Sequence, residues 1–284
     1  AAFGDVDSDG FSELYVAGYV DWKPDPEEAC LGNGGRQNVC SPQRYSPISD
    51  LLFFNSGDGR LRNRAEEIGI RNDGMGLGVV AADINRDQKL DFYVANDVVA
   101  NHLYLNWDGA RFAETGESSG VGLNDSGSAE GSMGVDAGDF DGDGQLDLWA
   151  TNFEMEDNSL YRNLGTDSAF SHATVATGLG GKGRRSVGFG TGLHDLDSDS
   201  WPDIYVLNGH VLYFGGMESF RQTPLLFRNA DGQRFEDIGT SAGPWFNVPH
   251  AARGAAVGDI DNDGDLDMIV SLLDAPVAVL RNRR

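Results

Sequence analysis

The chain has 284 residues, 45 Asp and Glu against 21 Lys and Arg, and a formal net charge of −24. Such an acidic surface argues against nucleic acid, whose phosphates are held by basic residues, and no apolar run approaches the ~18 residues of a membrane span. Glycine, at 39 residues, is about twice its usual share, which suits a fold with many tight turns.

The first element is Asp5-Val-Asp7-Ser-Asp9-Gly10, closed by Glu13. Carboxylates this dense repel one another unless a cation neutralises them. Ca2+ does so well, taking six to eight oxygen ligands in flexible geometry. Positions 1, 3, 5 and 9 supply side-chain oxygens, position 7 a backbone carbonyl, and a glycine at position 6 allows the sharp turn. The predicted ligands are therefore Asp5, Asp7, Asp9, Phe11 and Glu13. The pattern returns at Asp83, Asn85, Asp87, Lys89 and Asp91, and again at Asp139, Asp141, Asp143, Gln145 and Asp147. Two further copies comprise Asp195, Asp197, Asp199, Trp201 and Asp203, then Asp259, Asp261, Asp263, Asp265 and Asp267. About five Ca2+ are expected, and much of the acidity is then ligand. An EF-hand needs a bidentate Glu at position 12. That position holds Val16, Val94, Ala150, Val206 and Val270, so the EF-hand is excluded.

Between the first two loops lie Cys30 and Cys40, in a Gly/Asn/Pro-rich insertion. Nine intervening residues make a closable ring, and no nearby Cys or His completes a zinc site. A Cys30–Cys40 disulfide is expected, implying an oxidising compartment; two unpaired thiols are the alternative.

Each repeat has one grammar. A Gly/Ala-rich segment enters the loop, with Gly78, Gly134, Gly190 and Gly254 five residues before the first Asp. A β-branched or aromatic run leaves it, as in Phe92-Tyr-Val94 and Ile204-Tyr-Val206. A third strand ends in Asn: Asn55, Asn106, Asn163, Asn229 and Asn282. A Gly turn leads to a short fourth strand such as Arg111-Phe-Ala113 or Arg234-Phe-Glu236. Four antiparallel strands repeated radially make an all-β fold, a β-propeller with the calcium loop between the first two strands of each blade. The repeats run 1–75, 76–131, 132–185, 186–252 and 253–284, the first and last incomplete. The innermost strands are small because they converge on one axis.

If the calcium loops share one face, the insertions at 21–50 and 209–223 share the other. Ligand residues usually sit on loops held by a rigid scaffold. Trp22, Tyr45, Tyr213, Phe214, Phe220, Trp245 and Phe246 are the candidate contacts there.

These residues resemble the FG-GAP/VCBS calcium-loop repeats of integrin-type propellers and, more closely, the bacterial relatives of cartilage acidic protein with an ASPIC/UnbV domain. The likeness rests on Asp139-Phe-Asp-Gly-Asp-Gly-Gln-Leu-Asp147, Leu160-Tyr-Arg-Asn163, Val206-Leu-Asn-Gly-His210, Leu226-Phe-Arg-Asn229 and Arg253-Gly-Ala-Ala-Val-Gly-Asp259. It implies a secreted or cell-surface (extracellular or periplasmic) propeller of about seven blades, with one Ca2+ per loop and five repeats visible here. The chain departs from the motif at Gln88-Lys89, Ser200 and His194.

Gly116-Glu-Ser118-Ser-Gly120 matches a nucleophile elbow but lies in an all-β repeat, where that motif has no meaning. Gly178–Gly183 matches G-x-G-x-x-G without a βαβ unit, and Asn124-Asp-Ser126 is a glycosylation sequon. His102, His172, His194, His210 and His250 are scattered. No catalytic residue is assigned. The reading is a calcium-binding adhesion or binding module whose protein or polysaccharide ligand sits opposite the calcium loops. The alternatives are self-association through the terminal blades and, less favoured, the propeller of a calcium-dependent polysaccharide-active enzyme.

Overall fold

A computed structural model describes residues 1–23, 30–31, 35, 37–166, 168–212 and 219–283. Tyr213 and Phe214 lie outside the described residues. Among the described residues, nineteen strands form five antiparallel sheets. Blade one holds β1 (Ala2–Gly4), β2 (Glu13–Val16), β3 (Leu51–Asn55) and β4 (Leu61–Asn63). Blade two holds β5 (Gly76–Ala82), β6 (Asp91–Asn96), β7 (His102–Asn106) and β8 (Phe112–Glu114). Blade three holds β9 (Val135–Gly138), β10 (Asp147–Ala150), β11 (Ser159–Asn163) and β12 (Phe170–His172). Blade four holds β13 (Gly188–His194), β14 (Asp203–Asn208), β15 (Leu225–Ala230) and β16 (Arg234–Asp237). Blade five has three strands among the described residues: β17 (Ala252–Gly258), β18 (Asp267–Leu272) and β19 (Ala278–Leu280).

The strands pair in chain order within each blade, and β1, β5, β9, β13 and β17 pack in succession. The propeller is thus as the repeat grammar predicts. Small residues are required in these inner strands by close approach, not by φ. A Cβ on Gly134 would lie 1.7 Å from the Phe189 carbonyl of the next blade, and one on Gly78 would lie 2.3 Å from the Met133 carbonyl.

The core lies between blades. On β6, β10 and β14, the side chain after the loop's last carboxylate faces the preceding blade and the next faces the following one. Tyr15 meets Phe92 at 4.7 Å, and Tyr93 meets Tyr161 edge-on at 6.4 Å between ring centres. The fourth-strand phenylalanines Phe112, Phe170 and Phe235 close the first three seams, with Phe235 6.0 Å from Phe140. Tyr15, Tyr93, Trp149 and Tyr205 are buried on the following-blade side, but their blade-five counterpart Ile269 is 38% exposed. Phe3 on the opposite face of blade one is 70% exposed.

The β5–β6, β13–β14 and β17–β18 pairs share one irregularity. Register shifts lie between Gly76 and Gly78, Gly188 and Thr191, and Ala252 and Ala255. A bulge re-aims side chains, and here Leu77, Phe189 and Arg253 reach the axial mouth.

Candidate functional sites: five acidic loops and an axial mouth

Each acidic loop is held by three sets of hydrogen bonds. The first Asp accepts from the N–H groups at positions 5 and 6, at 2.8–3.1 Å in all five copies. The position 5 carboxylate accepts from the N–H of Phe11, Lys89, Gln145, Trp201 or Asp265 at 2.9–3.0 Å. The last carboxylate is buried in every copy. It joins the position 2 N–H to the N–H of the third-strand Asn, at 2.8–3.3 Å.

Two residues of each loop are left-handed. Position 6 has φ of 91°, 68°, 84°, 77° and 90° at Gly10, Gln88, Gly144, Ser200 and Gly264. Gln88 and Ser200 therefore take the strained conformation expected where glycine is missing. Position 4 is left-handed as well, at Ser8, Arg86, Gly142, Ser198 and Asn262.

Four loops bring three carboxylate oxygens within 4.8 Å of one another: Asp5, Asp7 and Glu13; Asp139, Asp141 and Asp147; Asp195, Asp197 and Asp199; Asp259, Asp261 and Asp263. These groups could hold a metal ion. Asp9, Asp143, Asp203 and Asp267 stand outside the tightest groupings. In the second loop Asp83, Asp87 and Asp91 form no such group, and the Lys89 ammonium lies 2.8 Å from Asp87 Oδ2.

The loops fit a cation electrostatically. Burial, opposed by backbone N–H donors, pushes the Asp91 and Asp147 carboxyls up to about 7 and Asp203 up to about 6. Burial and then the Asp9 charge raise Asp7, and burial raises Glu13 and Asp197. Asp261 Oδ1 is buried without a hydrogen-bond partner. Asp141 Oδ2 has only the Arg162 guanidinium, 2.6 Å away and outside hydrogen-bond geometry. Such groups call for positive charge inside the loop.

The opposite face carries a cavity of about 750 Å³, within the range usual for ligand sites. Leu77, Met133, Phe189 and Arg253 line it from four successive blades. Cys30, Leu31 and residues 38–42 line one side, and the Cys30 and Cys40 sulfurs are bonded at 2.00 Å, so the expected disulfide is present. Arg253 lies 4.0 Å over the Phe189 ring and donates to the Gly209, Ala252 and His210 carbonyls. Across from it, Tyr19 donates to Asp97 at 2.6 Å, and burial raises the Asp97 carboxyl. Glu156, also raised by burial, accepts from the Gly131 and Phe153 N–H groups.

The predicted aromatics do not converge on this mouth. Trp22 (61% exposed) and Tyr45 line a neighbouring 460 Å³ pocket beside the disulfide. Trp245 stacks on His250 at 4.1 Å, and Phe246 is buried between blades four and five. Phe220 is half-buried. Three of the lining residues, Leu77, Phe189 and Arg253, are placed by bulges, which composition does not announce. Ser118 Oγ donates to the Thr115 carbonyl in a one-turn helix, Gly116–Ser119. Asn124 is engaged with Glu130, Ser126 and Ser128. His210 Nδ1 accepts from Leu212, while Nε2 faces Glu154 at 3.2 Å.

Residues 87–150 and 195–270 match the FG-GAP-like repeat family model. These two segments are similar to FG-GAP-like repeats. It is 27% identical over 223 residues to cartilage acidic protein 1 of Homo sapiens, covering 70% of this chain and 31% of that protein. The chain therefore spans about a third of its curated relative. Among solved structures, rhamnogalacturonan lyase YesW is 14% identical with a TM-score of 0.46, covering 99% of this chain and 48% of that one. A lectin of Agrocybe aegerita specific for non-reducing terminal N-acetylglucosamine is 15% identical with a TM-score of 0.39, covering 95% of this chain and 80% of its own. The Bacillus licheniformis rhamnogalacturonan lyase is 13% identical with a TM-score of 0.36, covering 95% and 57%. The FG-GAP-like repeats contain the second to fifth acidic loops in whole or in part.

Proposed function

We propose that this propeller is an extracellular, calcium-stabilised binding module whose ligand, a protein segment or a polysaccharide, enters the axial mouth. Ca2+ sits in the acidic loops, with side chains at positions 1, 3, 5 and 9 and the carbonyl at position 7 as ligands. A hard, oxygen-seeking dication suits these all-oxygen donor sets. The metal neutralises each loop and fixes the joins between first and second strands. The disulfide supports an oxidising compartment, since such bonds persist outside the cytosol. No helix among the described residues is long and apolar enough to cross a membrane.

The observation that carries the ligand reading is the mouth itself. Its 750 Å³ cavity combines the Leu77 and Phe189 surfaces with the Asp97 and Glu156 carboxylates. Concave apolar walls with a few convergent polar groups are the usual form of a ligand site. The test is a titration of the calcium-loaded protein with oligosaccharides and peptides, read by methyl signals of Leu77 and Met133. Saturable shifts there, lost in Leu77→Arg, support the reading. Binding that leaves those signals unmoved, or survives Leu77→Arg unchanged, overturns it.

A further inference from the structure

The acidic loops are joined from blade to blade, and the joints are not alike. Val6, Ile84 and Phe140, at position 2 of loops one to three, are buried in the seam with the next blade. The main-chain carbonyl of each accepts from the third-strand asparagine of that blade: Asn106 to Val6 at 2.8 Å, Asn163 to Ile84 at 3.0 Å, Asn229 to Phe140 at 2.8 Å. The N–H of the same asparagine holds the last carboxylate of its own loop, Asp91, Asp147 or Asp203, at 2.8–2.9 Å. Asp91 and Asp147 in turn accept from the position 2 N–H groups of Ile84 and Phe140, each at 3.0 Å. One chain of hydrogen bonds thus runs from loop one to loop four.

The turn after the asparagine supplies a second joint in blades two and four. There Asn106-Trp-Asp-Gly109 and Asn229-Ala-Asp-Gly232 place a left-handed glycine whose N–H donates to the asparagine Oδ1, at 2.7 and 3.0 Å. That glycine lies against the main chain of position 3 in the preceding loop. A Cβ on Gly109 would be 2.7 Å from Asp7 Cα, and one on Gly232 would be 3.0 Å from Asp141 Cα. Loops three and four touch again at Gly142, where a Cβ would be 2.9 Å from the Trp201 ring. Blade three reads Asn163-Leu-Gly165-Thr, with its glycine one residue earlier. Gly165 faces Gln145 of its own loop, and a 210 Å³ cavity lies between Asn85 and Asp87 of loop two and Gln145 and Asn163 of blade three. The Arg86 side chain crosses here, its guanidinium 3.4 Å from the Cβ that Gly144 would carry.

We propose that Ca2+ fills the loops as coupled pairs, one with two and three with four, with a looser joint between the pairs. The proposal rests on the calcium reading of these loops. Ca2+ at Asp7 or Asp141 fixes the main chain of position 3. The glycine turn packed on it is then fixed, and with it the asparagine that holds the last carboxylate of the next loop. Close-packed main chain transmits such an ordering, whereas a cavity and a flexible side chain absorb it. Coupling of this kind is reciprocal, so each member of a pair raises the affinity of the other by the same factor.

The test is a calcium titration of the full chain, read by the amide signals of each loop, in Asp9→Ala and Asp143→Ala. These carboxylates accept from Phe11 and Gln145 within their own loops and take no part in the chain of bonds between loops. Asp9→Ala should weaken loop two at least about fivefold and leave loop four within about twofold. Asp143→Ala should weaken loop four at least about fivefold and loop two by about twofold or less. Asn106→Ala should abolish the response of loop two to Asp9→Ala; where that variant does not fold, the two loop variants decide alone. Three outcomes overturn the proposal: loops that fill independently, a loop two as sensitive to Asp143→Ala as loop four, and a response that survives Asn106→Ala. A chain that takes up no Ca2+ in any loop overturns the calcium reading as well.

Discussion

The side-chain amide of Asn163 donates to the main-chain carbonyl of Ile84, 3.0 Å away in the preceding blade's acidic loop. Its own N–H donates to Asp147 at 2.8 Å, so one asparagine ties two loops together. Asn106 reaches Val6, Asn229 reaches Phe140 and Asn282 reaches Leu196 in the same way. Burial makes these bonds costly to lose. Asn163→Ala should destabilise by about 1–3 kcal/mol, and Asn55→Ala, whose amide makes a 3.4 Å exposed contact with Ser12, by less. Urea unfolding of the two variants measures the difference.

Inner-strand glycines divide by what lies beyond them. Gly134→Ala places a methyl against the Phe189 backbone, which cannot yield as a side chain would. It should cost at least about 1–3 kcal/mol. Gly254→Ala meets only the Ser271 hydroxyl at 3.2 Å and should stay within about 1 kcal/mol of the parent. Thermal melting of both variants in calcium checks this.

Asp97 gives a pH dependence separate from the acidic loops. Burial raises its carboxyl, while the Tyr19 hydroxyl bond opposes the shift. The folded protein therefore holds this proton more tightly than the unfolded chain. The associated stability is fully present below the unfolded value, about 3.9, and is lost as pH rises through the higher folded value. Asp97→Asn removes that loss and keeps an oxygen for Tyr19. The melting temperature of the variant should gain on the parent as pH rises above the unfolded value of about 3.9, which melts at saturating calcium can follow.

The second loop should bind Ca2+ most weakly. Asn85 removes one charge, Gln88 is left-handed, and Lys89 sits on Asp87. Lys89→Ala should tighten this loop several-fold, because it frees the Asp87 carboxylate from its ion pair. Asn85→Asp should add to it. Site-resolved NMR titration reads both, and a second loop filling before the third or fifth would contradict the ranking.

Much of this architecture was legible because the acidic spacing repeats. Asp139, Asp141, Asp143 and Asp147 declare a turn that wants a cation, and Leu148-Trp149 after them declares a strand. Gly144 announces its positive φ, but the equivalent freedom at Ser8, Arg86, Ser198 and Asn262 carries no residue signature. The asparagines ending each third strand are visible in sequence. Their partners are not, because Ile84 and Asn163 are 79 residues apart and meet only through blade packing. The mouth was hidden for a related reason: bulges at Leu77 and Phe189 choose its lining, while the conspicuous Trp22 and Trp245 pack elsewhere.

The most direct test of the calcium account is native mass spectrometry of the chain purified without chelator, paired with melting before and after chelation. The account predicts about five Ca2+ per chain, one for each loop, and a sharp fall in melting temperature when they are stripped. A metal-free chain whose melting temperature is unchanged by chelator or added calcium would contradict it.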